Sequence, residues 1–199
     1  MIAPRNLLIL LVAVGSIATY LVLSIAVFPT SYLGTSISPP KPAPVIASVK
    51  IEPDAIKLGQ QVQIKVIAVN IGGDADMQTI SSGFPNLTDS KDIQVMWQNL
   101  EHAPIMVSQG TKVGYGYTGT QQTVQAKYAA VEVQGWPWRH GETHEVDLKV
   151  TPQTAGNFVV LIKSVAMPHT DQRSHFPSNG TVDQQGEFVQ VYALNVTKP

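Results

Sequence analysis

The sequence predicts an all-β fold, two antiparallel sheets packed as a sandwich, carried behind one N-terminal transmembrane helix. Three observations lead there. The stretch from Leu7 to Phe28 holds no charged residue. Apolar residues recur at alternate positions in most segments after Val45, the mark of half-buried strands. Gly, Pro, Asn and Asp separate those segments as turns. At 199 residues and 44% apolar, the chain has material for one membrane segment and one well-buried domain.

The helix comes first. Residues 7–28, at about 1.5 Å of rise each, make a rod of about 33 Å, enough to cross the hydrocarbon core of a bilayer. Arg5 precedes the run and the next basic residue is Lys41, so the positive-inside tendency puts the N-terminus in the cytoplasm and everything beyond Phe28 outside. A cleaved signal peptide competes, since Ser24-Ile25-Ala26 offers small residues at the peptidase spacing. The run exceeds the usual apolar core of such peptides, about 7–15 residues, so residues 1–28 are expected to stay as a single-pass anchor. Residues 29–44 carry Pro29, Pro39, Pro40, Pro42 and Pro44, which favour extended polyproline II over helix or sheet centre, and read as a stalk.

Residues 45–199 are expected to form the sandwich. "ASVKIEP" sets Ala47, Val49 and Ile51 against Ser48, Lys50 and Glu52. "QVQIKVIAVN" sets Val62, Ile64, Val66 and Ala68 against Gln61, Gln63 and Lys65, then breaks at the glycines of "NIGGDAD". "DIQVMWQN" puts Ile93, Val95 and Trp97 on one face, and "HEVDLKV" does the same with Val146, Leu148 and Val150; Trp97 and Leu148 are predicted core residues. "GNFVVLIKSVAM" is apolar on both faces, as a central strand would be. "GEFVQVYALNV" closes the chain. With a hairpin between Ala103 and Val133, the total is about seven to nine strands, for which an antiparallel sandwich is the economical arrangement.

Composition excludes several chemistries. The chain has no cysteine, which removes disulfides, thiolate catalysis, iron–sulfur clusters and the thiolate-bound copper centres. A net charge of −1 with 13 scattered basic residues gives no footprint for nucleic acid. No serine sits in a G-x-S-x-G context and no phosphate-binding glycine loop follows a strand.

"IEPDAIKLGQQVQIKVIAVNIGGDAD" resembles the opening of the immunoglobulin-like CARDB type of adhesion module found in archaeal and bacterial surface proteins. There a proline-marked first strand leads into an "lGq.v.i.v.v.N.G" second strand. "HGETHEVDLKVTPQTAGNFVVLIKSV" resembles the later half of such modules, with its "G.t..v.l.v.p..aG.f.v.i" cadence. The resemblance covers about half of the ectodomain and implies an immunoglobulin-like β-sandwich with a role in adhesion. The chain departs from the pattern in a long insert, Phe84 to Gly135.

Four of the five histidines gather in two stretches, "WPWRHGETHEV" and "MPHTDQRSH". His140 and His144 are four apart, a spacing suited to a helical zinc pair, but Gly141 and the strand pattern oppose a helix. If the strands "THEVDLKV" and "NFVVLIKS" paired, His144 would approach Met167 and His169, with His175 nearby, a donor set suited to copper. The preferred expectation is that His140, His144, His169 and His175 are structural, that Trp136 and Trp138 cap the sandwich edge, and that no cofactor is bound. Copper is the alternative. Asp74, Asp76, Asp89 and Asp92 fit solvated loops better than calcium, Glu142, Glu145 and Asp147 read as the wet side of a strand, and Tyr115 and Tyr117 as a glycine-rich hairpin tip. Asn86, Asn179 and Asn195 each head an N-x-Thr acceptor for N-glycosylation.

The function these features point to is a non-catalytic, membrane-anchored ectodomain that binds other membrane or cell-surface proteins, such as a surface layer. The alternative is an accessory single-span subunit of a membrane-bound copper enzyme complex, of ammonia monooxygenase or terminal oxidase type. Against it, Val159 and Leu161 stand where the monooxygenase subunit would carry a paired His-x-His.

Overall fold

The computed structural model describes residues 4–26, 40–115, 122–168 and 173–199. The chain divides into two units, Met1–Pro40 and Lys41–Pro199.

The first unit holds one helix, α1 (Pro4–Ala26). Its weakly polar residues are satisfied within it: the Ser16 and Thr19 hydroxyls donate to the carbonyls of Val12 and Gly15, each at 2.9 Å. Side chains are described for Asn6 and residues 11–22, and among the described residues no helix is long and apolar enough to cross a membrane. The expected end of the span at Phe28 and the proline-rich stretch up to Pro39 lie outside the described residues.

The second unit is an all-β sandwich. Sheet A has four strands in the order β1 (Pro44–Glu52), β3 (Val62–Asn70), β10 (Thr143–Val150) and β5 (Ile93–Gln98). Sheet B runs β13 (Thr181–Val182), β14 (Phe188–Thr197), β11 (Gly156–Met167), β4 (Met77–Phe84), β9 (Ala129–Gly135) and β6 (Ile105–Val107). Two short strands join it: β2 (Ala55–Lys57) lies parallel to β14, and β12 (Ser174–Phe176) pairs with β11. A separate hairpin joins β7 (Lys112–Gly114) to β8 (Thr123–Gln125).

Alternation builds the core. Val62, Ile64, Val66 and Ala68 of β3 and Val146, Leu148 and Val150 of β10 all point inward. They meet Ile80 and Phe84 of β4, Val131 and Val133 of β9, and Phe158, Val160 and Ile162 of β11. The rings of Phe84 and Phe158 stack with centroids 6.1 Å apart. Strand β11, apolar on both faces in the sequence, lies between β14 and β4, in the interior of its sheet.

Three expectations are corrected. Trp97 is not a core residue; it is 49% exposed. The β10–β5 register is regular at Val150↔Ile93 and Leu148↔Val95, then slips, so that Trp97 faces Asp147 on the solvent side. A bulge adds one residue and turns the side chains beyond it to the other face. Similarly, a register shift between Ile46 and Ser48 leaves Ile46 buried and Ala47 exposed. Finally, β10 pairs with β3 and β5 and not with β11: residues 151–155 carry the chain from one sheet to the other.

The stretch read as a stalk ends in contact with the sandwich. Pro42 is buried, and the backbone of 41–43 bonds to Ile71, Gly73 and the side chain of Asn70. This close approach requires glycine at position 72, where a Cβ would overlap the backbone of Lys41 and Ala43. Pro44 opens β1 on the sheet edge, where a missing N–H is tolerated.

Candidate functional site

Three neighbourhoods hold the polar and aromatic side chains from which a site can be built. The first surrounds the histidines. Trp138 is fully buried; its backbone pairs with Ala75 and its indole N–H donates to the Glu142 carbonyl at 2.8 Å. Beside it, the buried Asn70 donates to the carbonyls of Gly73 (2.7 Å) and Trp138 (3.1 Å) and accepts from the backbone N–H of Ala43 and Gly72. That asparagine, the "N" of the "AVN" triplet, satisfies four backbone groups, which explains its presence in an otherwise apolar strand end.

His144, the second residue of β10, points inward on the same face as Val146, Leu148 and Val150. It is 3% exposed between the sheets, where Gln78 of β4 donates to its Nδ1 and the Trp138 ring lies 5.9 Å away. Glu142 approaches Nε2 at 3.6 Å. His140 is exposed, with Nδ1 2.8 Å from the Gly72 carbonyl and its backbone N–H on Asp74. His175 lies on β12 with Nδ1 2.7 Å from the Pro177 carbonyl. Met167 follows the buried Ala166, so it faces the outer side of sheet B while His144 lies between the sheets. His169 falls outside the described residues, as does Tyr117. Among the described residues no three His, Asp or Glu side chains converge as a metal-binding group. Three of the acids considered for calcium are engaged locally: Asp74 with His140, Asp89 capping the turn at Lys91, and Asp92 with Gln153. The Lys91 backbone N–H holds the Asp89 carboxyl below its ordinary range.

Burial pushes the His175 imidazole down to about 4 from 6.5. The folded state therefore binds fewer protons than the unfolded chain between those values. This contribution to stability is complete above about pH 6.5 and is lost as the pH falls toward 4. Because the ring is only half-buried and solvent screens it, we expect about 1–2 kcal/mol. Thermal unfolding at pH 7 and pH 4.5 checks this: His175→Gln should lose less stability on acidification than the parent chain.

The second neighbourhood was not visible as a motif. The outward-facing residues of sheet B, among them Thr79, Ser81, Ala130, Leu161, Lys163, Val165 and Val189, are buried, because another layer of chain covers them. Residues 183–187 form that cover. The Gln184 side chain accepts from the backbone N–H of Lys127 (2.7 Å) and Tyr128 (3.1 Å), and the Gln184 backbone N–H donates to the Tyr128 hydroxyl at 3.0 Å. Burial pushes the Tyr128 phenol up to about 12. Underneath, Lys163 donates to Asp183, Gln185 and Glu187. Next to it opens a cleft of about 320 Å³ lined by Met77, Glu132, Val165, Met167 and Arg173. Burial pushes the Glu132 carboxyl up despite the attraction of Lys163.

The third is an exposed apolar edge. Met96 (50%) and Trp97 (49%) on β5, Ile105 and Met106 on β6, and Trp136 (57%) all face solvent. Strands β5 and β6 are the end strands of their sheets. His144 of β10 bonds to Gln78 of β4, β1 lies against β11 and β12, and the turn Ser90–Asp92 that leads into β5 lies against β9, so β5 and β6 are on the same side of the sandwich. His102 leans on Trp136 with centroids 5.6 Å apart, and Glu101 accepts the Trp136 backbone N–H at 2.9 Å.

No family model and no curated protein matches the chain. Solved structures similar to it include a CARDB domain from Pyrococcus furiosus in complex with di-metal ions, at 10% identity and a TM-score of 0.35, covering 80% of this chain and 96% of that one. A cohesin module of a family 33 glycoside hydrolase from Clostridium perfringens matches at 5% identity and a TM-score of 0.38, over 79% and 98% of the two chains. A type II cohesin domain from the Acetivibrio cellulolyticus cellulosome matches at 12% identity and a TM-score of 0.33, over 79% and 95%. At these scores the likeness carries no functional argument, and the β-sandwich rests on the two sheets themselves.

Proposed function

We propose that the chain is a membrane-anchored, extracytoplasmic β-sandwich that binds another membrane or cell-surface protein and catalyses no reaction of its own. The observation that carries this reading is the exposed edge formed by Met96, Trp97, Ile105, Met106 and Trp136. Tryptophan and methionine are enriched where proteins meet, and two tryptophans half-exposed on one module are costly unless a partner covers them. The uncharged run of residues 7–28 and the internally bonded hydroxyls of Ser16 and Thr19 support anchoring by α1. In this reading the N-terminus is cytoplasmic and the histidines are structural: His144, His140 and His175 each have a ring nitrogen engaged by the protein itself. No metal is required. Of the three sequons, Asn179 and Asn195 are exposed acceptors, whereas the Asn86 side chain accepts from the Val159 backbone N–H at 2.7 Å.

One experiment tests both halves. The native protein should stay with membranes through an alkaline wash and co-purify in mild detergent with a discrete partner. Trp97→Ala combined with Trp136→Ala should abolish that association and leave the thermal midpoint within about 3 °C of the parent, since both rings are largely in solvent. Release by the wash contradicts the anchor; a partner retained by the double variant contradicts the edge.

A further inference from the structure

The cluster under the 183–187 cover plays no part in the binding reading. Lys163 lies on β11 with 3% of its side chain exposed, facing Asp183 at 8% and Glu187 at 12%. Its ammonium donates to Asp183 Oδ2 at 2.6 Å, to Gln185 Oε1 at 2.7 Å and to Glu187 Oε2. All three protons are therefore committed, and the lysine has nothing left to offer an external anion. The other oxygen of the aspartate, Oδ1, accepts two backbone N–H groups, from Gln185 at 2.8 Å and Glu187 at 3.0 Å. Paired backbone donors on one carboxyl oxygen are the device that stabilises a developing oxyanion in acyl transfer. A third carboxyl, Glu132, adjoins the cluster, and burial favours its protonated form.

We infer that Lys163 and Asp183 condense to an intramolecular isopeptide bond, with Glu187 as the catalytic proton acceptor. Glu187 takes one proton from the Lys163 ammonium and passes it to Asp183 Oδ2, which lies 2.6 Å from Nζ, and the freed electron pair on Nζ attacks Cγ of the neutral carboxyl. The tetrahedral intermediate places its negative charge on Oδ1, against the N–H groups of Gln185 and Glu187. A second proton leaves Nζ through Glu187. That proton also passes to Oδ2, the Cγ–Oδ2 bond breaks, and water departs. The balance is one ammonium and one carboxylate to one amide and one water, with no oxidant, cofactor or activated donor. The product replaces a buried ion pair by a neutral amide and staples β11 to the segment before β14, in a chain that has no cysteine for a disulfide.

The test is mass spectrometry of the full-length chain, produced in a host that leaves the sequons unmodified and kept in mild detergent. Complete tryptic digestion should leave Lys163 uncut, so that residues 150–173 appear joined to residues 174–199 at one water below the sum of the two. Glu187→Gln should restore cleavage after Lys163 while keeping the all-β circular dichroism of the parent, and Lys163→Arg should give the full unlinked mass. A parent chain cleaved at Lys163, with an intact mass showing no loss of water, overturns the inference. A link that persists in Glu187→Gln overturns the role of Glu187. Should that variant fail to fold, the parent digest alone still decides. The outcome is independent of the anchor and of any partner.

Discussion

Replacing Lys163 by Met is expected to lower the unfolding free energy by about 3–5 kcal/mol, the cost of leaving buried carboxylates without their cation. Asp183 and Glu187 both face this single ammonium. Methionine keeps the volume of the lysine stem, so the loss is electrostatic and not a cavity effect. Two features make the loss large. The oxygens are nearly shielded from water, and the 183–187 cover is tied by Gln184 to Tyr128, so the acids cannot swing out without breaking those bonds. This figure holds for the unlinked ion pair; where Lys163 and Asp183 are joined no ammonium remains, and the replacement removes the crosslink instead. Denaturant unfolding at pH 7 measures the cost. A cost of about 1 kcal/mol or less would rule out the electrostatic explanation.

Leu148→Asp is expected to cost about 5 kcal/mol or more, from the lost burial of a leucine side chain together with the desolvation of an unpaired carboxylate. Leu148 is fully buried at the centre of β10, flanked by Ile64 of β3 and Val95 of β5. The informative contrast is Trp97→Asp. Sequence alternation places Trp97 on the same face as Val95, yet the bulge in β5 turns it to solvent, so its replacement should cost about 1 kcal/mol or less. Similar losses for the two variants would mean that the register of β5 is wrong.

These residues show what the sequence could and could not reveal. Alternation in β3 and β10 identified their inner faces, because one buried face imposes a period of two whatever the partner strand. The two-sided apolar run of β11 identified a central strand for the same reason. Alternation says which face is buried but not which sheet a strand joins. That is why the "HEVDLKV" and "NFVVLIKS" segments, separated by a short turn-rich link, read as neighbours although they lie in different sheets. Bulges leave no mark on composition, hence Trp97. The one legible trace of the outer cluster was Lys163 itself, a lone charge in an apolar run, with the acids of "VDQQGE" further along the chain. Linking them required knowing that this cover folds back over sheet B. The spacing of the histidines offered a metal site only as the alternative to structural roles, and His144 packs between the sheets against Gln78 and Trp138.

The central claim, that the β5–β6 edge receives another protein, is tested most directly by photo-crosslinking in native membranes. A photoreactive residue at Met96, on that edge, should give one discrete adduct of defined mass. The same residue at the exposed Lys50 on β1, the opposite end of sheet A, should give none. Equal adducts from both positions, or none from Met96 while the protein remains in its membrane, would contradict the account.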